Sequence, residues 1–600
     1  VLRGTAVNQD GRSNGLTAPS GPSQQAVIRQ ALSASGLKPA DIDYIEAHGT
    51  GTPTGDPVEV GALSAVYGAG RADAPCAVGS VKPNTGHLEG GAGVVGLIKA
   101  TLALHHEMLP PTAGVRTLST AVDWEASGLR VPTETECWPR AADPRRAAVC
   151  SYGYGGTIAH LLIEEAPEPR PASAAPRPTL IPLSGRSEAR LASQASALAG
   201  YLRAAEPPVA EVASTMWTRR SHQPVKGAVV TSGLVEANSA PTVVDALEAM
   251  ALGVRNPRVV TGTAVPGAES GAVWVFSGHG SHWAGMGREL LATEPAFAAT
   301  IDEVDAVFGR ELGFSAREAL TTEQLGGTDQ VQALTFAMQV GLAAVLREHG
   351  VRPAAVIGHS VGEVAACVVS GVFDLVHGAS VACFRARGFR SVTGAGAMAL
   401  VRLPFDEVDR RLHGRTDVVA AISASSESTV VSGTMAAVRA VVQAWTDEGV
   451  TVRPVNTDVA FHSPTMDALT GELARLVGGL PEPGRAEVPL YTTALADPRS
   501  AAPRDRDYWV ANLRGRVRFA EAVRAAAEDG HRLFLEISAH PVVSHSIVET
   551  LLHHGMTDHA VVPVLRRDQP EQRAVGAAIA GLYCHGAPVE HGVTAGTAWA

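Results

Sequence analysis

Lysine is scarce in this chain of 600 residues, confined to Lys38, Lys82, Lys99 and Lys226, and a net charge of -11 is spread without a basic block. Neutralising a phosphate backbone takes clustered cations, so a nucleic-acid partner is excluded. The arginine excess, with abundant Ala and Gly, suits a GC-rich genome and says nothing of mechanism. No apolar run reaches the ~20 residues of a membrane-spanning helix, and Val1 follows no basic-then-apolar leader. The expectation is a cytoplasmic chain cut from something longer. Cysteine is sparse as well: Cys76, Cys137, Cys150, Cys367, Cys383 and Cys584 show no CxxC pair and no disulfide-like spacing, which fits a reducing compartment. None lies in a recognisable nucleophile motif.

Apolar residues make up 45 % of the chain, enough at this length for roughly three or four folded units. Up to residue 165 or so, short apolar runs (42–47, 77–81, 147–152, 158–163) alternate with helical patterns (24–35, 94–106), which predicts layered α/β structure. The Pro- and Ala-rich "EEAPEPRPASAAPRP" (164–178) reads as a linker. Residues 179–265 carry a strand pattern, a helix pattern and the strand-like "GAVVTS", a folded connector too small for an enzyme domain. A new α/β pattern starts at "AVWVFSGHGSHW" (272–283) and runs through a helix predicted over 331–348. Between 397 and 461 the order becomes β-α-β-β-α-β, the ferredoxin-like unit, inserted in a larger α/β domain.

The stretch "VIGHSVGEVAA" (356–366) sets Ser360 between glycines, after an apolar run and before small residues. That is the pattern of a nucleophile elbow, a sharp strand-to-helix turn that lifts a hydroxyl to a helix N-terminus. Bare GxSxG matches also occur in ordinary loops. A serine needs a general base, and the leading candidate is His462 in "VAFHSPTMD", placed at a strand end; a structural histidine is the alternative. Arg385 in "VACFRARGFR" separates reaction classes. On a helix beside the elbow its guanidinium would clamp a carboxylate bidentately; alternatively it is a surface arginine beside Arg387 and Arg390.

Together "GHSVGEVAA", the arginine that follows it, "GAMALV" and "VAFHSPTMD" resemble the malonyl-CoA:acyl-carrier-protein transacylase family as embedded in polyketide synthases. The resemblance implies ping-pong acyl transfer: Ser360 takes malonyl from coenzyme A, and the phosphopantetheine thiol of a carrier protein removes it. His462 would be base and then acid, oriented by a backbone carbonyl at Asn512 in "YWVANLRGRVRF", and Arg385 would hold the malonate carboxylate. The N–H groups of Val361 and His279 would form the oxyanion hole, each donor worth roughly 3–4 kcal/mol. "GHGSHW" departs from the family's "GQGSQW", placing His279 and His282 where glutamines are usual, as in the 6-methylsalicylic and orsellinic acid type of iterative synthase. The H-x-x-H spacing lacks a third ligand, so no metal is expected. Phe461, preceded by Ala460 in "VAFH", implies malonyl over methylmalonyl because its bulk leaves less room for an α-methyl, a group worth ~1–3 kcal/mol.

Residues 1–165 resemble the C-terminal half of a β-ketoacyl synthase through "NQDGRSNGLTAPSGPSQ", "EAHGTGTPTGDPVE", "SVKPNTGHLEGGAG" and "SYGYGGTIAHLLIEEA". The resemblance makes His48 and His87 the histidines of malonyl decarboxylation, supported electrostatically by Lys82. The family's nucleophilic cysteine lies ahead of Val1, Cys150 replaces a serine, and condensing activity is expected to be absent here. Tyr152 and Tyr154 stand for phenylalanines and Ile158 for asparagine.

The expected fold is therefore multidomain α/β. A thiolase-like ketosynthase half spans 1–165 and a small α/β linker domain 166–270. An acyltransferase over 271–545 has an α/β-hydrolase-like core with the ferredoxin-like subdomain at 397–461, and a post-acyltransferase segment (546–600) packs back along the linker. No bound cofactor is expected. Implied partners are malonyl-CoA, an acyl carrier protein with its phosphopantetheine, and the remaining domains of a homodimeric parent synthase. A serine esterase or thioesterase and a non-catalytic docking scaffold remain the rival readings.

Overall fold

The structure, a computed structural model, describes residues 1–13, 15, 18–71, 73–167, 180–231 and 240–589. It divides into two compact units, Val1–Pro169 and Arg170–Ala600. Most of the expected linker, from 168 to 178, lies outside the described residues, as does the expected C-terminal segment beyond 589.

The first unit is built on strands β1 (Leu2–Gln9), β2 (Tyr44–Glu46), β3 (Cys76–Gly79), β4 (Leu129–Arg130), β5 (Arg146–Tyr152) and β6 (Thr157–Glu164), in sheet order β1-β6-β5-β2-β3-β4. The edge pairs β1–β6 and β6–β5 are antiparallel; the rest are parallel. Helix α1 (Gly21–Ser35) starts at the Ser20 cap, with proline in its first turn, and ends at the left-handed Gly36. It buries Val27, Ile28, Ala31 and Leu32 against the sheet. Helix α2 (Ala92–His106) packs its small residues, Gly96, Ala100 and Ala103, toward β5 and β2. Strand β1 escaped the sequence reading because its half-buried positions are Gly4, Ala6 and Asn8 while Leu2 and Val7 are exposed, so no apolar alternation marks an inward face.

The second unit opens with a three-stranded antiparallel sheet of β7 (Leu180–Gly185), β8 (Val225–Val230) and β9 (Val259–Thr263), ordered β9-β8-β7 and packed by helix α3 (Glu188–Ala205). The main sheet follows. Its strands are β10 (Ala272–Phe276), β11 (Pro353–Gly358), and later β16 (Leu490–Tyr491), β18 (Leu533–Ile537) and β19 (Ala560–Pro563), all parallel in the order β16-β11-β10-β18-β19. Fully buried parallel strands read as continuous apolar runs, as "AVWVF" does. Helix α4 (Thr328–Glu348) is buried almost all round, which is the condition for a helix at the centre of a large core. It packs against α5 (Gly362–Val369) and α6 (Leu375–Phe389).

Between α6 and β16 the chain builds a second, small sheet from β12 (Gly396–Val401), β13 (Val418–Ser423), β14 (Thr429–Thr434) and β15 (Val452–Val455), in antiparallel order β15-β12-β14-β13, with β17 (Val517–Arg518) added parallel to β13. Helices α7 (Phe405–Arg411) and α8 (Met435–Asp447) cover one face, burying Phe405, Val408, Val438, Val441 and Trp445. Helix α9 (Arg506–Arg514) precedes β17. Helix α10 (Glu571–Cys584) packs on β8 and β9, where Tyr583 Oη meets His222 Nδ1 at 2.7 Å and lies 4.8 Å under the Lys226 ammonium.

The start of α10 is stitched to the helix Arg288–Thr293 by carboxylates. Glu571 accepts from the N–H groups of Gly287 (2.5 Å), Glu289 (3.1 Å) and Leu290 (3.1 Å), while Glu289 accepts from Glu571 N–H at 2.6 Å. Removing Glu571 orphans buried donors, which costs about 2 kcal/mol. Glu571→Ala should lower the urea midpoint of this unit accordingly, and an unchanged midpoint would show that the cap is dispensable.

Candidate active site

Ser360 occupies the turn between β11 and α5 with φ +55°, a left-handed conformation that a serine adopts at a cost of ~1–3 kcal/mol. The flanking glycines explain how the turn is made. A Cβ on Gly358 would sit 2.2 Å from Glu363 Cα, and one on Gly362 would sit 2.1 Å from Phe276 O, both backbone atoms that cannot yield. Strand, turn and helix therefore close tightly enough to present the hydroxyl at the start of α5.

His462 Nε2 lies 2.8 Å from Ser360 Oγ, and its Nδ1 lies 3.0 Å from Gly515 O. With Nδ1–H donating to that carbonyl, Nε2 is left as the acceptor of the serine proton. The side chain is 4 % exposed, and burial first, then the Arg385 charge, depresses its pKa to about 3. Two sequence expectations change here. The orienting carbonyl belongs to Gly515, not Asn512: Asn512 lies within α9, whereas Gly515 follows the helix end in extended conformation with its C=O free. His462 also does not end a strand. Strand β15 stops at Val455, and His462 sits in the loop beyond it with φ +59°.

Asn512 instead joins a buried polar cluster that the sequence reading did not find. Its Nδ2 donates to Glu363 Oε2 at 2.9 Å and to Ser360 O at 3.3 Å, and its Oδ1 accepts from Arg385 Nη1 at 2.5 Å. Glu363 also accepts from Thr493 Oγ1 at 2.8 Å, the Thr493 N–H and the Tyr508 hydroxyl. The signal was present, since Glu363 is a lone carboxylate in an apolar helix. Arg385 is 3 % exposed, which removes the surface-arginine alternative. Burial lowers its pKa to about 10 against the opposing charge of Glu363, so it stays a cation. Its Nε is buried without an acceptor among the described residues.

A cavity of about 500 Å³ opens above the pair, lined by Ser360, His462, Phe461, His279 and the exposed face of the small sheet. Phe461 is held between the rings of His279 (5.6 Å) and Phe389 (5.0 Å, edge-on). Ala460 does not reach the cavity: it is buried against Gly396, where a Cβ would come within 2.4 Å of it. His279 faces Gln332 Nε2 through Nδ1 at 3.3 Å, and burial pushes its pKa down to about 4. The N–H groups of Val361 and His279 donate to no protein acceptor among the described residues.

In the first unit the rings of His48 and His87 stand 5.4 Å apart, edge to face, with Tyr152 5.5 Å from His48. Burial, then the Lys82 and His87 charges, lowers His48 to about 4. Buried Glu59, raised by desolvation to about 7, accepts from His48 N–H (2.7 Å) and Gly49 N–H (2.8 Å) and interacts with Lys82. Cys150 is buried with its thiol pKa pushed well up, 3.4 Å from His160 Nδ1, whereas Tyr154 is 82 % exposed.

The fold and the serine–histidine pair of the second unit are those of an acyl-transferring serine enzyme. The chain belongs to the acyl transferase domain family, which it matches over residues 273–587. Residues 1–116 match the C-terminal domain of β-ketoacyl synthases and 119–230 the ketoacyl-synthetase C-terminal extension. It is 46 % identical to 5-methyl-1-naphthoate synthase of Streptomyces sahachiroi, over 98 % of this chain and 33 % of that protein. With 6-methylsalicylic acid synthase of Penicillium patulum the identity is 44 %, over 100 % of this chain and 34 % of the relative. The chain thus spans about a third of the length of these relatives. Among solved structures, the acyltransferase domain from module 8 of the salinomycin polyketide synthase aligns at TM-score 0.65 and 34 % identity, covering 69 % of this chain and 98 % of that one.

A base with its pKa near 3 is already deprotonated across the neutral range. The acylation rate of Ser360 at subsaturating thioester should therefore stay level from neutrality down through the ordinary histidine range; a half-loss centred on ordinary histidine ionisation would contradict the buried neutral imidazole.

Proposed function

We propose that the second unit loads malonyl from malonyl-CoA onto Ser360 and passes it to the phosphopantetheine thiol of an acyl carrier protein. The observation that carries this reading is the 2.8 Å Ser360–His462 contact with a buried arginine beside it. His462 Nε2 takes the hydroxyl proton as Oγ attacks the thioester carbonyl. The oxyanion is met by the N–H groups of Val361 and His279. On collapse the C–S bond breaks, and the proton passes from His462 to the coenzyme A sulfur. The second half runs in reverse: the carrier thiol gives its proton to His462, its sulfur takes the acyl group, and Oγ recovers the proton.

Arg385 receives the free carboxylate of malonate. Its unpartnered Nε supports this, as does its position one residue from Ser360 through Asn512. A bound carboxylate neutralises the guanidinium, whose charge is one of the causes that depress His462. Malonyl binding thereby relieves this second cause, after burial, and strengthens the base that takes the Ser360 proton. Phe461 narrows the cavity against an α-methyl. The small sheet with α7 and α8 is read as the ferredoxin-like subdomain and the strand–elbow–helix as the hydrolase-like part of the core, with the boundaries 1–165, 166–270, 271–545 and 546–600.

His48, His87 and Lys82 are read as the ketosynthase remnant. The names of the relatives support a parent synthase of the 6-methylsalicylic type, and that parent is read as iterative, cytoplasmic and homodimeric. Mass spectrometry of the chain after incubation with malonyl-CoA should place the adduct on Ser360 and lose it in Ser360→Ala; an adduct elsewhere would overturn the assignment. Arg385→Ala should cut malonyl loading about 100-fold, the worth of a buried charged contact of ~3 kcal/mol, and acetyl loading far less. Equal losses would remove the carboxylate clamp.

A further inference from the structure

One wall of the cavity is the open face of the small sheet, and its register sorts the side chains. Met398 is opposite Val455 and Leu400 opposite Arg453 across β12 and β15, and just past the strand end Arg402 N–H donates to Thr451 O at 3.0 Å. All six residues line the cavity. The inner end of this wall is fixed by Gly396, which abuts Ala460 two residues before His462. Alternate residues of a strand share a face at ~3.3 Å per residue, so the wall runs about 13 Å outward from Met398 to Arg402. Met398 and Val455 make its inner end apolar, Arg453 stands beside Leu400 halfway along, and Arg402 lies at the outer end. The two arginines there differ: Arg402 is paired with Glu427 at 2.9 Å and Glu549 at 2.8 Å, whereas Arg453 is exposed and makes no ion pair or side-chain hydrogen bond among the described residues.

We propose that this wall is the track of a phosphopantetheine thioester and that Arg453 grips its phosphate. The inference rests on the acyl-transfer reading above. A thioester arm delivered to Ser360 presents a neutral chain to Met398, Leu400 and Val455, and ends in a phosphate ester that a free guanidinium binds bidentately. Glu549, in the same cavity, is engaged by Arg402, which it shares with Glu427, and accepts from Ser428 Oγ at 3.3 Å, so its carboxylate is directed away from Arg453, with which it makes no ion pair among the described residues.

The test compares Ser360 acylation by malonyl-CoA, malonyl-4′-phosphopantetheine and malonyl-pantetheine in the native chain and in Arg453→Ala. The ratio of kcat/KM for a phosphorylated thioester over the phosphate-free one should fall about tenfold in the variant, through KM, and recover in part in Arg453→Lys. A fall with both phosphorylated donors assigns the pantetheine phosphate shared with a carrier arm; a fall with malonyl-CoA alone assigns the nucleotide phosphates. A ratio unchanged within twofold overturns the grip. If the native chain accepts none of the three thioesters, the acyl-transfer reading itself fails, and the inference with it.

Discussion

The contact between Ser360 Oγ and His462 Nε2 is the constraint around which the second unit is arranged. Both residues hold left-handed backbone, at φ +55° and +59°, and neither has the freedom of glycine. Each is held there by its surroundings. The serine is locked by glycines that let β11, α5 and the end of β10 close on one another, and the histidine by the Gly515 carbonyl on its far nitrogen. The serine comes from the parallel sheet and the histidine from the loop leaving the small sheet. The cavity therefore lies where the two sheets meet, and the small sheet supplies its wall.

Much of this was legible in the sequence, for a physical reason. An elbow demands small residues at fixed offsets from the serine, and "GHSVGE" carries them. The β-α-β-β-α-β order was readable because β-branched runs alternate with amphipathic helices between 396 and 455. What was not legible depends on three-dimensional closure. The carbonyl that orients His462 is a main-chain group, which no side-chain pattern marks, and it fell three residues beyond the matching asparagine. Ala460 looked like a specificity position by adjacency to Phe461, but the loop turns it into the core. Strand β1 was missed because an edge strand whose half-buried positions are Gly4, Ala6 and Asn8 carries no apolar alternation.

The first unit carries a second arrangement built around a depressed histidine, His48, and the contrast is informative. His48 and His87 face each other across 5.4 Å with Lys82 nearby, while the buried Glu59 is bonded to the backbone beside His48. A cation near a histidine keeps it neutral, and a neutral imidazole donates a hydrogen bond without competing for charge. Cys150, buried and with its thiolate disfavoured, is no nucleophile in this setting.

In the second unit the same physics is set to a different end. Arg385 is buried beside Glu363 and Asn512, so its charge acts in a poorly screened medium and is felt at His462. Burial first, and this charge second, keep His462 a weak base. On the proposed reading a dicarboxylic acyl group would bring an anion that offsets the second of these causes, and an acetyl group would not. If the proposed clamp holds, selection for the carboxylate acts twice, in the grip on its oxygens and in the basicity it restores to the imidazole, and the buried arginine is then a control on chemistry as well as on binding.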